Sequence, residues 1–300
     1  MPSRLLVGAI LALCSLWAPL AWAQDQLPVV RIVGTFSTGP YLQALARTFK
    51  QGKKIDVETS ADYASLEPVE NQPDAFDAMG QGKADIALIT RPLTLTDRSA
   101  YPDLDFKSTP IGMEVVAIAV SNDLWAAGVH SIDKETMRAI YERKITNWRA
   151  APNGPDTEVE IATLKEGHGV WETFADWLYG DNMKAPLLPK ADQYDSNSDL
   201  RDALEFGSGA IAPIAAIFAD GSRCHALGLR IAGHVINPTA REVAAGAYPI
   251  VRPIIAVVGR VPSLETRAVL EYMTSPAGQD LLRQTGDFGL EAAPKGPPGT

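Results

Sequence analysis

Cysteine is scarce in this chain, which contains Cys14 and Cys224 among its 300 residues. Cys14 lies in an N-terminal segment that we expect to be removed, which leaves Cys224 without an intramolecular disulfide partner. One remaining cysteine excludes a cysteine-based metal cluster, and the four histidines do not follow the H-E-x-x-H spacing of zinc enzymes. The sequence therefore predicts no disulfide scaffold, no metal site and no other cofactor.

Positively charged residues are also few, since the chain has 27 Lys and Arg residues and 36 Asp and Glu residues. The formal net charge of −9 argues against a nucleic-acid partner. It does not exclude a small anionic ligand, because charges beyond about 8 Å are largely screened at physiological salt. The residues that line a binding site therefore decide its ligand.

Apolar runs that approach the length of a membrane span are absent except at the N-terminus. Arg4 precedes LLVGAILALCSLWAPL, and Ala-Trp-Ala at 21–23 forms an A-x-A cleavage site. This pattern predicts a secretory signal peptide over residues 1–23, with the mature chain beginning at Gln24 and exported. The alternative is an N-terminal membrane anchor, for which the run is short.

Strand-like and helix-like patterns alternate through the rest of the chain. VVRIVGTF (29–36), KKIDVETS (53–60) and ADIALIT (84–90) predict strands, and helical spacing occupies 40–50 and 73–82 between them. This β-α-β-α-β order predicts a parallel α/β sheet.

Further elements follow along the chain. Two long apolar runs at 111–121 and 248–259 predict long strands, and 132–145 predicts a helix with Ser131 as its N-cap. A strand at 159–164, a helix with a glycine break and a buried segment over 197–219, and terminal helices complete the pattern. In the last helix Ser275 is the expected cap, Pro276 the first residue and Gly286 the stop.

The segment LKEGHGVWETF, residues 164–174, has the layout of a strand, a glycine-flanked turn and a helix N-terminus. Such a turn directs backbone N–H groups outward and suits an anion. On the helix that follows, we expect Trp177 to face the core. Trp171 either stacks on a ligand or packs in the protein.

Several segments, in order, resemble those of periplasmic phosphate-binding proteins, the solute receptors of ABC importers. They are GTFSTGPYLQAL (34–45), GKADIALITRPLT (82–94), ITNW (145–148), EGHGVWETF (166–174), SNSDLRDAL (196–204), GSGAIAP (207–213), AGAYPIVRPIIAVV (245–258) and SPAGQDLLRQTG (275–286). No segment is specific alone, but together they cover nearly the whole mature chain.

The resemblance implies the type II periplasmic binding protein fold: two α/β lobes with mixed sheets flanked by helices. Lobe 1 would comprise 24–115 and 252–300, and lobe 2 would comprise 116–251. The strands at 111–121 and 248–258 would cross between the lobes as hinges. The lobes would close on a small anion and present it to an ABC permease of the inner membrane. A periplasmic monomer without catalytic activity is therefore expected.

Two segments of lobe 1 are expected at the ligand, by the same resemblance. The first is Thr35, Phe36, Ser37 and Thr38 at the start of the first helix, where Ser37 or Thr38 is alternatively only an N-cap. The second contains Thr90, which occupies the place of the family's usual carboxylate, and Arg91. Arg91 either binds the oxyanion through its guanidinium or lies in solvent or between the lobes. Ser65 in an early loop is a further candidate.

The loop of lobe 2 departs from the family pattern. Leu164, His168 and Val170 stand where an arginine, a serine and a threonine are expected, while Gly167 and Gly169 keep the backbone donors. His168, with a reference pKa of about 6.5, would bind an anion more tightly below that pH. Alternatively, His168 caps the helix or bonds across the cleft.

Two functions remain open from the sequence. The first is an importer receptor for phosphate or a related oxyanion. The second is a sensor or accessory protein that binds an organic acid or a protein partner. An enzyme is disfavoured, because no nucleophile–base pair or metal motif is recognisable.

Overall fold

The computed structural model describes residues 27–52, 54–63, 75–165, 168–180, 184–185 and 191–290. It is a mixed α/β molecule in which helices flank a long sheet. The predicted signal peptide over residues 1–23 lies outside the described residues. Across the described ranges, no helix combines the length and the apolar character that crossing a membrane requires.

The strands form a nine-stranded sheet and a separate three-stranded sheet. In chain order they are β1 (Val29–Thr35), β2 (Asp56–Tyr63), β3 (Ile86–Ile89), β4 (Lys107–Val120), β5 (Ser131–Asp133), β6 (Glu160–Leu164), β7 (Asp192–Tyr194), β8 (Ala210–Ala215), β9 (His225–Ala226), β10 (Gly228–Ile231), β11 (His234–Ile236) and β12 (Val251–Val258). The large sheet runs β2-β1-β3-β12-β4-β8-β6-β7, with β9 also paired to β4, and the small sheet runs β11-β10-β5.

The helices lie between these strands and at the C-terminal end. They are α1 (Gly39–Lys50), α2 (Ala75–Gly80), α3 (Leu95–Ala100), α4 (Asn122–Ala126), α5 (Lys134–Tyr141), α6 (Gly169–Tyr179), α7 (Asn197–Phe206), α8 (Ala240–Ala244), α9 (Leu264–Thr274) and α10 (Pro276–Gln284). The predicted start of α10 is confirmed: the Ser275 hydroxyl accepts from the Gly278 N–H and Pro276 opens the helix.

The first part of the chain confirms the predicted parallel pairing. β1 pairs in parallel with β2 on one side and with β3 on the other. The predicted strand at 53–60 is displaced to 56–63, because the register of β1 begins with Val29 opposite Asp56. α1 packs on this sheet through an apolar stripe of Tyr41, Leu42, Leu45 and Phe49.

The helix predicted at 132–145 is shorter than expected, and its predicted cap is wrong. Ser131–Asp133 pairs as β5 with β10, which removes Ser131 from the helix start. Asp133 caps α5 instead, since its carboxylate accepts from the Thr136 N–H (2.7 Å). Strand pairing with a distant segment overrides a local capping signal here.

The long strand β4 connects the two ends of the large sheet. β4 pairs antiparallel with β12 up to Val115, and from Val116 onward it pairs with β8. The register between β4 and β12 shifts between Ile254 and Ile255, which indicates a bulge.

The buried apolar side chains form separate clusters on the two sides of this change of strand partner. One cluster draws its members from residues 115–250, around Trp148, Tyr141 and Phe174. Two smaller clusters combine residues 30–111 with residues 254–282. Because each large buried side chain contributes about 1.5–3 kcal/mol, each group has a substantial core.

Candidate functional site

The start of α1 follows β1 through a short 3₁₀ turn, Phe36–Thr38. Pro40 lies in the first turn of α1, where its fixed φ and missing N–H suit a helix start. Thr38 is the N-cap, but its side chain makes no capping hydrogen bond, because its hydroxyl donates to the Thr35 carbonyl oxygen (2.8 Å). No side chain therefore caps α1, and Pro40 has no N–H that would need a cap.

A buried ion pair lies against this helix start. Arg252 Nε and Nη2 donate to the two carboxylate oxygens of Glu114 (3.0 and 2.9 Å), and the two side chains are 7% and 2% exposed. The Ser37 hydroxyl donates to Glu114 (2.9 Å) and accepts from Arg252 Nη2 (3.4 Å). The Thr35 hydroxyl lies 3.2 Å from Ser37 Oγ and extends the network. Charge-assisted hydrogen bonds in a dry environment are strong, so this network fixes the helix start against the sheet.

Glu114 and Arg252 were not among the residues expected from the sequence. They are register partners on the adjacent antiparallel strands β4 and β12. The signal that would have found them is one charged residue inside each of two apolar runs, IGMEVVAIAV and YPIVRPIIAVV. Buried charges are rare unless paired, so two such strands of opposite charge predict that the strands are neighbours.

A second buried carboxyl group adjoins the pair. Met113 and Phe288 form an antiparallel bridge, which places Asp287 beside Glu114. Burial raises the pKa of Asp287 well above its usual range, and the Glu114 charge raises it further against the opposing effect of Arg252. These effects favour the neutral form of Asp287 over its carboxylate.

The start of α6 differs from the sequence expectation. His168 is the N-cap, and its Nδ1 accepts from the Val170 N–H (3.3 Å). This capping arrangement was one of the alternatives for His168. Leu164 and Val170 are buried in the core, so the residues that replace polar ligands serve packing.

The hypothesis that His168 binds an anion more tightly below pH 6.5 finds no support in the surroundings of its side chain. Burial, with a smaller contribution from the Arg252 charge, lowers the pKa of His168 to about 3. The imidazole is therefore neutral at physiological pH and cannot attract an anion by charge. Its side chain supports the helix end, and Gly169 opens α6 as a buried residue.

A cavity of about 380 Å³ lies between three segments. α6 contributes Glu172, Thr173, Asp176 and Trp177; the segment after β3 contributes Thr90, Arg91 and Pro92; the segment at the start of β12 contributes Pro249, Val251, Arg252 and Pro253. The cavity therefore lies where residues of both core groups meet the crossover strand β12.

Thr90 and Arg91 both line this cavity, but they differ in their hydrogen bonding. Thr90 is 3% exposed, and its hydroxyl has no hydrogen-bond partner in the described part of the chain. Arg91 donates twice to Asp97, from Nη1 (2.6 Å) and from Nη2 (2.9 Å). An unpartnered buried hydroxyl costs about 1–3 kcal/mol, so Thr90 is the more informative of the two.

The other expected ligand residues are distributed as follows. Thr35, Ser37 and Thr38 are buried, and Ser37 reaches the cavity wall through Arg252. The backbone of Phe36 lies in the 3₁₀ turn. Ser65 and Gly167 fall outside the described residues.

The two tryptophans of α6 both pack against the core and are half-buried. Trp171 packs near Tyr141 and Phe174, with ring centroids 6.0 and 5.7 Å apart, which confirms the packing alternative. Trp177 packs against the core as expected, and it also lines the cavity. Helical spacing placed both on the inner side of α6 but did not reveal which one meets the opposite wall.

Comparisons with known proteins agree on one family. A family model described as a PBP superfamily domain matches residues 21–277. The phosphate-binding protein PstS of Borreliella burgdorferi is 21% identical over 275 residues, covering 89% of this chain and 92% of that protein. PstS of Bacillus subtilis is 26% identical over 147 residues, covering 49% of this chain and 44% of that protein. This chain thus aligns with less than half of the Bacillus protein.

Solved structures resemble the fold at low identity. A protein from Clostridium perfringens, solved with bound phosphate, has a TM-score of 0.72 and 20% identity, covering 87% of this chain and 99% of that one. The CcmR regulatory domain of Synechocystis, solved with 2-PG, has a TM-score of 0.53 and 13% identity, covering 82% and 96%. The likeness confirms the predicted α/β architecture of two lobes.

Proposed function

We propose, because the chain belongs to the PBP superfamily, that it is an extracytoplasmic solute-binding protein that captures phosphate or a related oxyanion between two lobes. Arg252 carries the proposal. Arg252 lines the cavity, its guanidinium contacts Ser37 at the start of α1, and its charge lowers the pKa of His168 at the start of α6. A positive charge between two helix N-termini stabilises an anion.

The oxyanion binds chiefly from the side of lobe 1. Two donors belong to residues of the cavity lining: Arg252 Nη1, which has no hydrogen-bond partner within the described ranges, and the Thr90 hydroxyl. The turn before α1, with Thr35, Phe36, Ser37 and Thr38, adds backbone N–H groups. The loop at Gly167, His168 and Gly169 contributes through its backbone, and Arg91 through its charge.

The lobes comprise 24–115 with 252–300, and 116–251. The separate apolar cores and the change of partner along β4 at Val115 and Val116 support these boundaries. β4 and β12 then act as the hinge, and closure brings α6 toward Thr90.

Closure presents one surface to an ABC permease of the inner membrane. The signal peptide over 1–23 directs the chain to the periplasm, where it acts as a monomer. No bond is made or broken in this function.

A second function is an extracytoplasmic sensor or accessory protein. The observation that favours it is the similarity to the CcmR regulatory domain, whose structure holds 2-PG. In this alternative the same closure reports ligand occupancy to a protein partner.

Calorimetric titration of phosphate into residues 24–300 tests the proposal. The protein is unfolded and refolded beforehand to remove bound ligand. We expect measurable binding, and a loss of about tenfold in affinity for Ser37→Ala, because the Ser37 hydroxyl holds Arg252 and Glu114 at the helix start and a hydrogen bond to a charged group contributes about 1.5–3 kcal/mol.

Ser263→Ala is the matched control. The Ser263 hydroxyl accepts from the Thr266 N–H (3.0 Å) at the start of α9, so its loss removes a comparable helix cap outside the cavity. Equal affinities in the two variants would remove Ser37 from the site. Absence of heat and of thermal stabilisation at millimolar phosphate would remove phosphate as the ligand.

A further inference from the structure

A short segment after α10 returns to the large sheet beside β4. The Phe288 N–H donates to the Met113 carbonyl oxygen (3.0 Å), and the Phe288 carbonyl oxygen accepts from the Met113 N–H (2.7 Å). Gly286 begins this segment with φ of +96°, and a Cβ there would lie 2.8 Å from the Ile217 side chain. Because glycine adopts this conformation without strain, the chain can pass close to its neighbour. The segment therefore has a fixed path along β4.

This path places three ionisable side chains in one row across three adjacent backbone segments. Arg252 is the register partner of Glu114 between β12 and β4. The antiparallel bridge of Met113 with Phe288 places Asp287 opposite Glu114 on the other edge of β4. Residues that lie opposite each other on antiparallel strands share a face. The row thus has the order Arg252, Glu114, Asp287, with one guanidinium for two carboxyl groups.

The Arg252 guanidinium is already bonded to Glu114, through Nε (3.0 Å) and Nη2 (2.9 Å). Asp287 is 4% exposed, and its Oδ2 has no hydrogen-bond partner among the described residues. A buried carboxylate without a donor is costly, and a second carboxylate beside it increases the cost. A proton on Asp287 removes both costs.

The other titratable side chains near this row do not change its charge at neutral pH. Tyr41 of α1 is buried, and its burial, Tyr272 of α9 and Asp287 all raise the pKa of its hydroxyl, which stays neutral. His168 of α6 is affected by the Arg252 charge, and it also stays neutral because burial lowers its pKa to about 3. The protonation of Asp287 therefore sets how much negative charge adjoins Arg252.

We propose that Asp287 is a positioning residue of the oxyanion site, whose proton keeps the positive charge of Arg252 available to the ligand. Arg252 lines the cavity, so the charge balance of the row reaches a bound anion. Glu114 holds the guanidinium and offsets part of its charge. When Asp287 releases its proton to alkaline solvent, a second negative charge adjoins the site and the affinity falls. This inference rests on the proposed oxyanion-binding function and adds a group that controls it.

Urea denaturation tests whether Asp287 holds a proton. An aspartate of the unfolded chain ionises above about pH 3.9, whereas Asp287 stays protonated in the folded protein. Rising pH therefore favours the unfolded wild type, and Asp287→Asn removes this effect. The folding equilibrium constant of the variant, relative to the wild type, should rise by up to about tenfold per pH unit between pH 5 and 7.5. The matched control, Asp103→Asn at an exposed position, should show no such trend.

Calorimetric titration of phosphate from pH 6 to 10 tests the role of this proton in binding. The measured quantity is the wild-type Kd divided by the Kd of Asp287→Asn at each pH, which cancels the titration of phosphate itself. We expect a ratio near one at pH 6 and of at least three at pH 10. Asp103→Asn should bind like the wild type throughout. Asp287→Ser, a smaller neutral side chain, replaces the asparagine variant in both measurements if thermal unfolding shows that the latter does not fold.

Each measurement can overturn the inference. A stability difference between wild type and Asp287→Asn that stays constant from pH 5 to 7.5 would show that Asp287 is ionised in the folded protein. A Kd ratio that stays near one up to pH 10 would restrict Asp287 to folding, while phosphate binding would still support the proposed function. Absence of phosphate binding by the wild type would overturn both proposals.

Discussion

The starts of α1 and α6 have the same local design but opposite surroundings. Each follows a buried strand and a short turn, and each was expected to present N–H groups to an anion. At α1 the cap residue Thr38 bonds backward to Thr35, and Ser37 contacts Arg252 and Glu114. At α6 the neutral His168 side chain accepts from Val170.

The difference shows that a helix N-terminus is not a binding site by its geometry alone. The start of α1 joins a charged network through Ser37. At the start of α6, the His168 side chain already accepts a hydrogen bond from one of the first N–H groups. Under the proposed function, the α1 side and β12 therefore supply the charge that meets the ligand. α6 contributes Glu172, Thr173, Asp176 and Trp177 to the cavity lining.

Removal of Arg252 should have the largest effect. Arg252→Ala leaves Glu114 buried without its partner, which costs about 3–5 kcal/mol, and it also removes the charge for the anion. Urea denaturation measures the free energy of unfolding. A double variant, Arg252→Met with Glu114→Leu, should recover most of the stability but no binding.

The matched control is Arg31→Ala, which breaks the exposed pair with Glu58 (3.3 Å) and should cost no more than about 1 kcal/mol. A loss for Arg252→Ala as small as that of the control would contradict a buried network at the start of α1.

His168→Asn tests whether the buried side chain of His168 at the start of α6 stays neutral in the folded protein. The unfolded chain takes up a proton below about pH 6.5, whereas folded His168 stays neutral down to about pH 3. The wild type should therefore lose stability as pH falls between these values, by up to about 1.4 kcal/mol per pH unit more than the variant. Asparagine keeps a favourable N-cap, so the variant should fold.

Urea denaturation at pH 4.5, 5.5, 6.5 and 7.5 measures this difference, with His234→Asn at an exposed position as the control. Parallel pH profiles for wild type and His168→Asn would show that His168 is accessible to protons. The start of α6 could then carry a positive charge, as the start of α1 does through Arg252.

Thr90→Val should have the smallest effect on stability. The variant removes a buried hydroxyl without a partner among the described residues, so the free energy of unfolding should stay constant or rise by about 1 kcal/mol. The affinity for the oxyanion should fall about tenfold, because one hydrogen bond to the ligand is lost. Denaturation and calorimetry on the same preparation separate the two effects.

Thr163→Val is the control, because the buried Thr163 hydroxyl does have a partner: it donates to the Leu164 carbonyl oxygen (3.2 Å). It should lose stability and keep affinity. A stability loss in Thr90→Val like that of Thr163→Val would mean that the Thr90 hydroxyl is bonded within the protein.

Much of the fold was predictable because its signals are local. The parallel pairing around β1, the two long strands and the capped start of α10 follow from apolar periodicity and from Ser275 and Pro276. The displacement of β2 and the capture of Ser131 by β5 were not predictable, because strand register depends on a partner far along the chain.

The candidate site was predictable only in part, for the same reason. Thr90 and Arg91 were expected and do line the cavity, whereas the wall formed by Glu172, Asp176 and Trp177 was not expected. The sequence placed these three on a helix but did not indicate what faces that helix.

The sequence by itself determined the elements, their order and the family resemblance, because periodicity, caps and turns act within a few residues. Only the tertiary structure decided which charges are paired and which groups titrate. Arg252 and Glu114 are 138 positions apart, and their burial exists only when β4 and β12 pair. Burial and pairing set the charge of a site, and both depend on contacts between residues that are distant along the chain.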